Sequence, residues 1–231
     1  MRIKFALSCA AIAAAAAGPA FAQDEGADDG LYLRVGVGAS FAKDWSQDFT
    51  YNPDVVFVDT PPTGQTIENG RGKTFGAAIG FDYADGIRTE LEYRYAATNI
   101  DAVTLDDPVN GPTPASTVND EMHAQFVMAN FYFDLLNNGP LTPYVGGGVG
   151  GARVANENEQ HDVALAYQAR AGVSYALASR TSVDFDVSYL RTNKFAFGPN
   201  DDEFAPGGPI FRADGARYAA TTVMIGLRQQ F

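Results

Sequence analysis

The stretch Ile87 to Tyr95 reads I-R-T-E-L-E-Y-R-Y. Ile87, Thr89, Leu91, Tyr93 and Tyr95 alternate with Arg88, Glu90, Glu92 and Arg94, a period of two that predicts a β-strand with one apolar and one ionic face. Val183, Phe185, Val187 and Tyr189 repeat the design against Asp184, Asp186 and Ser188. Eight segments alternate in this way: Leu31 to Phe41, Lys73 to Ala84, Ile87 to about Thr98, Met122 to Leu135, Leu141 to Val154, Val163 to Ala176, Thr181 to Asn193 and Arg217 to Phe231. A soluble sheet would turn its apolar face inward. The connections argue for the inverse.

Asp85-Gly86, Leu136 to Pro140 and Leu177 to Arg180 are short, with Asp-Gly and Asn-Gly turn chemistry in the first two. Between them lie the long polar segments Ala42 to Gly72, Asn99 to Glu121, Ala155 to Asp162 and Lys194 to Ala216. An even number of strands, short turns at one end and long loops at the other describe an all-β, eight-stranded, antiparallel up-and-down barrel of the transmembrane type. The short turns would be periplasmic and the four long loops extracellular. With the first strand starting on the periplasmic side, Tyr83, Phe133, Tyr175 and Phe231 fall at the periplasmic rim of the apolar face. Phe41, Tyr95, Tyr167 and Tyr189 fall at the opposite rim. Two aromatic belts, as membrane interfaces require, emerge from a rule that never used aromaticity.

If the apolar face meets lipid, the bore receives Arg34, Arg88, Arg94, Arg170 and Arg228 together with Asp82, Glu90, Glu92, Asp134, Asp184 and Asp186. Five cations against six anions predict an internal ion-pair network, since buried charge is costly unless paired. Eight strands enclose just enough room for side chains to fill. Gly36, Gly38, Gly76, Gly80, Gly146, Gly148 and Gly150 share the inward parity. They either lower the wall opposite the long ions or only permit curvature.

Composition changes the picture in three places. Met1 to Ala22 has Arg2 and Lys4, a 13-residue apolar run from Phe5 to Ala17, and Ala20-Phe21-Ala22. That is the pattern of a cleaved secretory leader, 1–22, followed by a short periplasmic segment, 23–30, and the barrel, 31–231. The single cysteine, Cys9, lies in the leader, so no disulfide or thiolate metal site is expected in the mature chain. The formal charge is -12, and removing Arg2 and Lys4 makes it -14. So acidic a chain is a poor partner for nucleic acid.

Pro143-Tyr144-Val145-Gly146-Gly147-Gly148-Val149-Gly150-Gly151-Ala152, the preceding Asn130-Phe131-Tyr132-Phe133-Asp134 and the final Ile225-Gly226-Leu227-Arg228-Gln229-Gln230-Phe231 resemble the small outer-membrane barrels related to the OmpA transmembrane domain, the opacity proteins and the surface antigens of alphaproteobacteria. Gln229 stands where members usually carry an apolar residue. The resemblance implies location in a Gram-negative outer membrane. It also implies that the terminal Phe231 is the signal read by the barrel-assembly machinery.

Candidate chemistry is sparse. Gly146-x-Gly148-x-x-Gly151 matches a dinucleotide fingerprint in letters but opens no helix. His123 and His161 sit at strand ends or in loops; His123 has Glu121 nearby, a faint parallel to barrel enzymes acting on lipid A. Asp201-Asp202-Glu203 lacks the alternate spacing of a calcium loop. Glu90, Glu92, Asp184 and Asp186 share a bore with five arginines, and pairing explains them better than acid–base catalysis. Trp45, Phe49, Tyr51 and Val55 to Val58 make the first long loop partly apolar, either as a hairpin or as a contact surface. Seventeen of the 28 acidic residues fall in the four long loops. They either form a solvated rim or share divalent cations with lipopolysaccharide.

The expectation is a monomeric structural, surface-presenting protein with a salt-bridged, closed bore, no cofactor, no metal and no catalytic residue. Its surroundings would be outer-membrane lipid and lipopolysaccharide, and the host or envelope partner is open. The alternatives are a narrow small-solute porin, an adhesin-type presenter of loops, a lipid A-modifying enzyme and a lipocalin-like soluble carrier. As the chain closes on a strand, no further domain is expected.

Overall fold

Period-two alternation lets each segment satisfy its backbone through its neighbours while keeping unlike side chains on opposite faces. The computed structural model describes residues 30–83, 85–116, 120–135, 139–155, 161–197 and 210–231. Residues 1–29, with the expected leader, lie outside them, as do Asp201, Asp202 and Glu203. Gly30, assigned above to the periplasmic segment, already pairs with Asp82.

Eight strands close a ring: β1 (Gly30–Ala42), β3 (Gly64–Tyr83), β4 (Ile87–Asp107), β6 (Asp120–Asp134), β7 (Leu141–Ala155), β8 (His161–Ala178), β9 (Thr181–Thr192) and β12 (Ala219–Gln230). Each pairs antiparallel with the next, and β12 returns to β1 through Val35–Leu227 and Val37–Ile225. Stepping from Ala39 one way reaches Lys73 and then Ala97. Stepping the other way passes Val223, Val187, Ala171, Val145 and Phe133 to reach Ile87. The two arrivals on β4 are ten residues apart, and this stagger tilts the strands by about 35–45° to the barrel axis.

The apolar face points outward. Leu91, Val187 and Ile225 are 54%, 49% and 46% exposed, whereas Arg88 and Asp186 are 2% and 3% exposed. The soluble-carrier alternative needs the reverse and is set aside. All eight rim aromatics face outward. Phe81 packs at a tilt on Tyr83 at 4.8 Å and Phe131 edge-on to Phe133 at 4.7 Å, reinforcing the belt at the turn end. At that end Gly86 takes φ 74°, the left-handed conformation a tight hairpin requires, and its N–H donates to Tyr83 O at 3.1 Å.

The long loops hold more structure than their polarity suggests. β3 and β4 run 20 and 21 residues, about twice what a bilayer needs, and stand above the rim as a tall hairpin. β2 (Trp45–Tyr51), β5 (Gly111–Ser116), β10 (Phe195–Phe197) and β11 (Phe211–Ala216) join it in the order β10-β11-β2-β3-β4-β5. The apolar first loop is thus a hairpin, with Phe49 packed on Phe211 at 4.8 Å.

The β4–β5 turn is held by Asp107. Its carboxylate accepts from the backbone of Val109 and Asn110 at 2.8 and 3.0 Å and from the Asn110 side chain at 2.9 Å. The Asn110 bonds, side chain first and backbone second, hold this carboxyl below the ordinary value of 3.8. A depressed carboxyl stabilises the turn above its unfolded pKa and loses that contribution as pH falls through the folded one. The Val109 and Asn110 amide shifts, followed by NMR, are expected to titrate with a midpoint below 3.8; a midpoint at or above it contradicts the cap.

Candidate functional site

The bore is built from inward positions of all eight ring strands, and its periplasmic half is ionic. Arg34 on β1 donates to Asp184 at 3.0 Å and to Asp186 on β9. Arg88 on β4 meets Asp134 on β6 at 2.7 Å, and Arg228 on β12 meets Asp82 on β3 at 3.3 Å. Glu92 gathers the most partners. It accepts from Arg94 at 2.8 Å, from Arg170 at 2.8 and 2.9 Å, from Asn130 at 2.9 Å and from Gln168 at 3.1 Å. Arg94 also reaches across the bore to Ser188 Oγ at 3.3 Å. Thus the eleven charged positions singled out above come together in one connected layer.

Six carboxylates face five guanidiniums, and Glu90 is the one whose nearest guanidinium stands beyond hydrogen-bond distance. It accepts from the hydroxyls of Tyr32 and Tyr132 at 3.1 and 3.4 Å, with Arg170 at 3.8 Å. Tyr144 donates to Asp186 at 3.3 Å. These three tyrosines also offer ring faces to the cations: the Arg88 guanidinium lies 4.7 Å from the Tyr144 centroid and Arg228 lies 5.4 Å from that of Tyr32. Sequence reading left them out, although each shares parity with a named ion.

The glycines make room for these rings. A Cβ on Gly172 would lie 2.6 Å from the Tyr144 ring, and one on Gly80 or Gly146 would strike Tyr32 or Tyr132. Of the two roles considered, close approach is visible at these positions. Gly172→Ala is expected to displace Tyr144 from Asp186 and cost about 1–3 kcal/mol, the range for overpacking. The urea midpoint of the refolded barrel measures this, and Gly172→Ala/Tyr144→Ala should lose less than the sum of the single changes.

Towards the outer end the inward positions turn apolar. Met128 is opposite Glu92 and Met224 opposite Asp186, at the outer edge of the ions. Phe126, Leu190, Tyr218 and Trp45 cover them, all buried. Phe126 packs on Tyr218 at 5.3 Å and Tyr218 on Trp45 at 6.4 Å. Polar and apolar layers therefore succeed one another along the axis.

His123 lies outside the bore. Its Nδ1 is 2.8 Å from the Tyr95 hydroxyl, its ring stacks on Tyr95, and Glu121 is 3.9 Å from Nε2. Among the described residues no group of three or more His, Cys, Asp or Glu side chains is placed to hold a metal ion. The side chain of His161 lies outside those described. Gly146, Gly148 and Gly151 lie within strand β7, so the dinucleotide match has no helix to open.

A closed antiparallel ring with aliphatic side chains outside and paired ions inside defines an outer-membrane β-barrel protein. The surface antigen family profile matches residues 39–197, and the chain belongs to that family. It is similar to an uncharacterized protein of Brucella suis, with 26% identity covering 87% of this chain and 85% of the relative. It is also similar to outer membrane protein PagN of Salmonella typhimurium, with 24% identity covering 75% of this chain and 79% of the relative. In fold it is similar to the outer membrane protein OprG of Pseudomonas aeruginosa, with TM-score 0.58, 16% identity and coverage of 89% and 96% of the two chains. Neisserial surface protein A is similar too, with TM-score 0.52, 12% identity and coverage of 87% and 97%. The protein resides in the outer membrane of a Gram-negative bacterium, surrounded by its lipid and lipopolysaccharide.

Proposed function

We propose that this barrel is a monomeric, non-enzymatic, surface-presenting protein whose bore is closed to ions and solutes. The observation that carries the reading is Glu92, held by two arginines and two amides with Met128 opposite it on β6. Glu92 and Arg94 both have partners on other strands, so a permeating ion would have to displace several charge-assisted bonds at once. The cap above is lined mainly by Phe126, Leu190 and other apolar side chains, a poor substitute for an ion's hydration. Presentation is supported by the outer six-stranded sheet, whose crown exposes Val56, Val58, Ile210 and Phe211. Phe231, whose N–H donates to Leu31 O at 2.9 Å, serves as the assembly signal.

Planar-bilayer recording of refolded protein is the test. No steady conductance at neutral pH is expected, and the double charge swap Glu92→Arg/Arg94→Glu should produce leakage. A steady conductance from the unaltered protein would instead establish the narrow porin.

A further inference from the structure

The sequence has 16 Lys and Arg residues. Arg2 and Lys4 precede the described residues, and five arginines are in the bore. Arg212 pairs with Asp214 at 2.8 Å, and Arg180 lies in the periplasmic β8–β9 turn. All seven others stand at the extracellular end of the ring. Six of them, Lys43, Arg71, Lys73, Arg191, Lys194 and Arg217, belong to four adjacent strands or the residues just beyond them: β3, β1, β12 and β9. Arg153, on β7, is on a different wall.

The register brings the six together. Arg71 is opposite Phe41 and Lys73 opposite Ala39. The Lys43 N–H donates to Ala219 O at 2.7 Å, and Ala219 is opposite Arg191. The Lys43 ammonium lies 5.4 Å from the ring centroid of Tyr189, across the outer wall. Phe41 and Tyr189 are rim aromatics, so the cations begin where the lipid-facing belt ends. Arg191 is half-buried and the other five are exposed. Among the described residues, none of the six makes an ion pair with a carboxylate.

This is an unusual place for unpaired positive charge in a chain of net -12. The acids of the wall have gone into the bore or up into the loops, leaving the headgroup level on one flank positive. Arginine guanidiniums hold phosphate oxygens in bidentate pairs, and lysines add point charges. Basic clusters next to an apolar transmembrane surface bind anionic lipid headgroups. We propose that this ledge is a binding site for the phosphorylated headgroup of an outer-leaflet glycolipid. The acyl chains would lie on Phe41, Phe75 and Tyr189 below, and the phosphates would be held directly rather than through divalent cations shared with the acidic loops.

The test uses the full-length barrel in detergent micelles and measures binding of bis-phosphorylated lipid A, of lipid A stripped of phosphate, and of inorganic phosphate as competitor. The phosphorylated lipid should bind and the stripped lipid should not. The variant Lys43→Gln/Arg71→Gln/Arg191→Gln/Arg217→Gln, checked for folded-barrel mobility, should bind on the order of 1,000-fold more weakly, as expected for loss of four interfacial cations. Arg153→Gln should keep wild-type affinity, EDTA should change nothing, and millimolar inorganic phosphate should not compete. Equal binding of the two lipids by the unaltered protein overturns the proposal even if the variant fails to fold. So does an unchanged affinity in the folded variant, an equal loss in Arg153→Gln, abolition by EDTA, or competition by free phosphate.

Discussion

Glu92→Ala is expected to cost about 3–5 kcal/mol of stability, the range for removing one partner of a buried ion pair. The side chain is 1% exposed and touches Arg94, Arg170, Asn130 and Gln168. Its removal leaves two guanidiniums competing for the remaining carboxylates, with Arg170 able to turn only towards Asp186 at 3.5 Å and Glu90 at 3.8 Å. Glu90→Gln provides the contrast. Glu90 is the excess anion of the layer; Tyr32 and Tyr132 donate to its two different oxygens, and a Gln can keep its carbonyl on one hydroxyl while its amide N–H donates to the other. That change should alter stability far less. Urea titration of both variants folded into short-chain lipid vesicles measures the difference. Equal losses would mean that charge pairing at Glu92 is no more important than packing at Glu90.

Parity alone decides on which face of a strand a side chain leaves, so the alternation in Ile87 to Tyr95 was enough to separate Leu91 from Glu92. Partnership was not legible, because Arg34 finds Asp184 at a separation of 150 residues and only register brings them together. The outer half of the bore was harder to read for a related reason. In Met122 to Met128 the inward residues Met122, Ala124, Phe126 and Met128 are themselves apolar, and the contrast with outward His123, Gln125 and Val127 fades. The tall hairpin of β3 and β4 was cut short in the sequence reading because in Gly64 to Gly72 and Asn99 to Asp107 the large apolar residues, Ile67, Ile100, Val103 and Leu105, are few and fall on both parities. Above the membrane neither face needs to be apolar, so the period-two signal stops although the hydrogen-bonded ladder continues through Gln65–Leu105. Where apolar residues did stand out in that region, at Trp45 and Phe49, they marked two destinations. Trp45 joins the cap of the bore, and Phe49 joins the aromatic cluster of the outer sheet.

Leu91→Arg is expected to be among the most damaging single changes on the outer surface, although Leu91 is 54% exposed. In a water-soluble domain an exposed leucine is replaced at little cost, usually within about 0.5 kcal/mol. Here Leu91 lies midway along the outward face of β4, between Ile87 near the turn and Tyr95 at the outer rim, flanked by Ile79 and Ala129 on the neighbouring strands. An arginine at that depth must draw its charge to an interface or pull water into the hydrocarbon, at about 2–4 kcal/mol. The same substitution at Val56, 93% exposed in the outer crown, should leave stability unchanged. The pair is compared by urea unfolding in vesicles. If both are silent, the aliphatic side of the ribbon does not face lipid; if Leu91→Arg alone is costly, hydrocarbon is the solvent on that face.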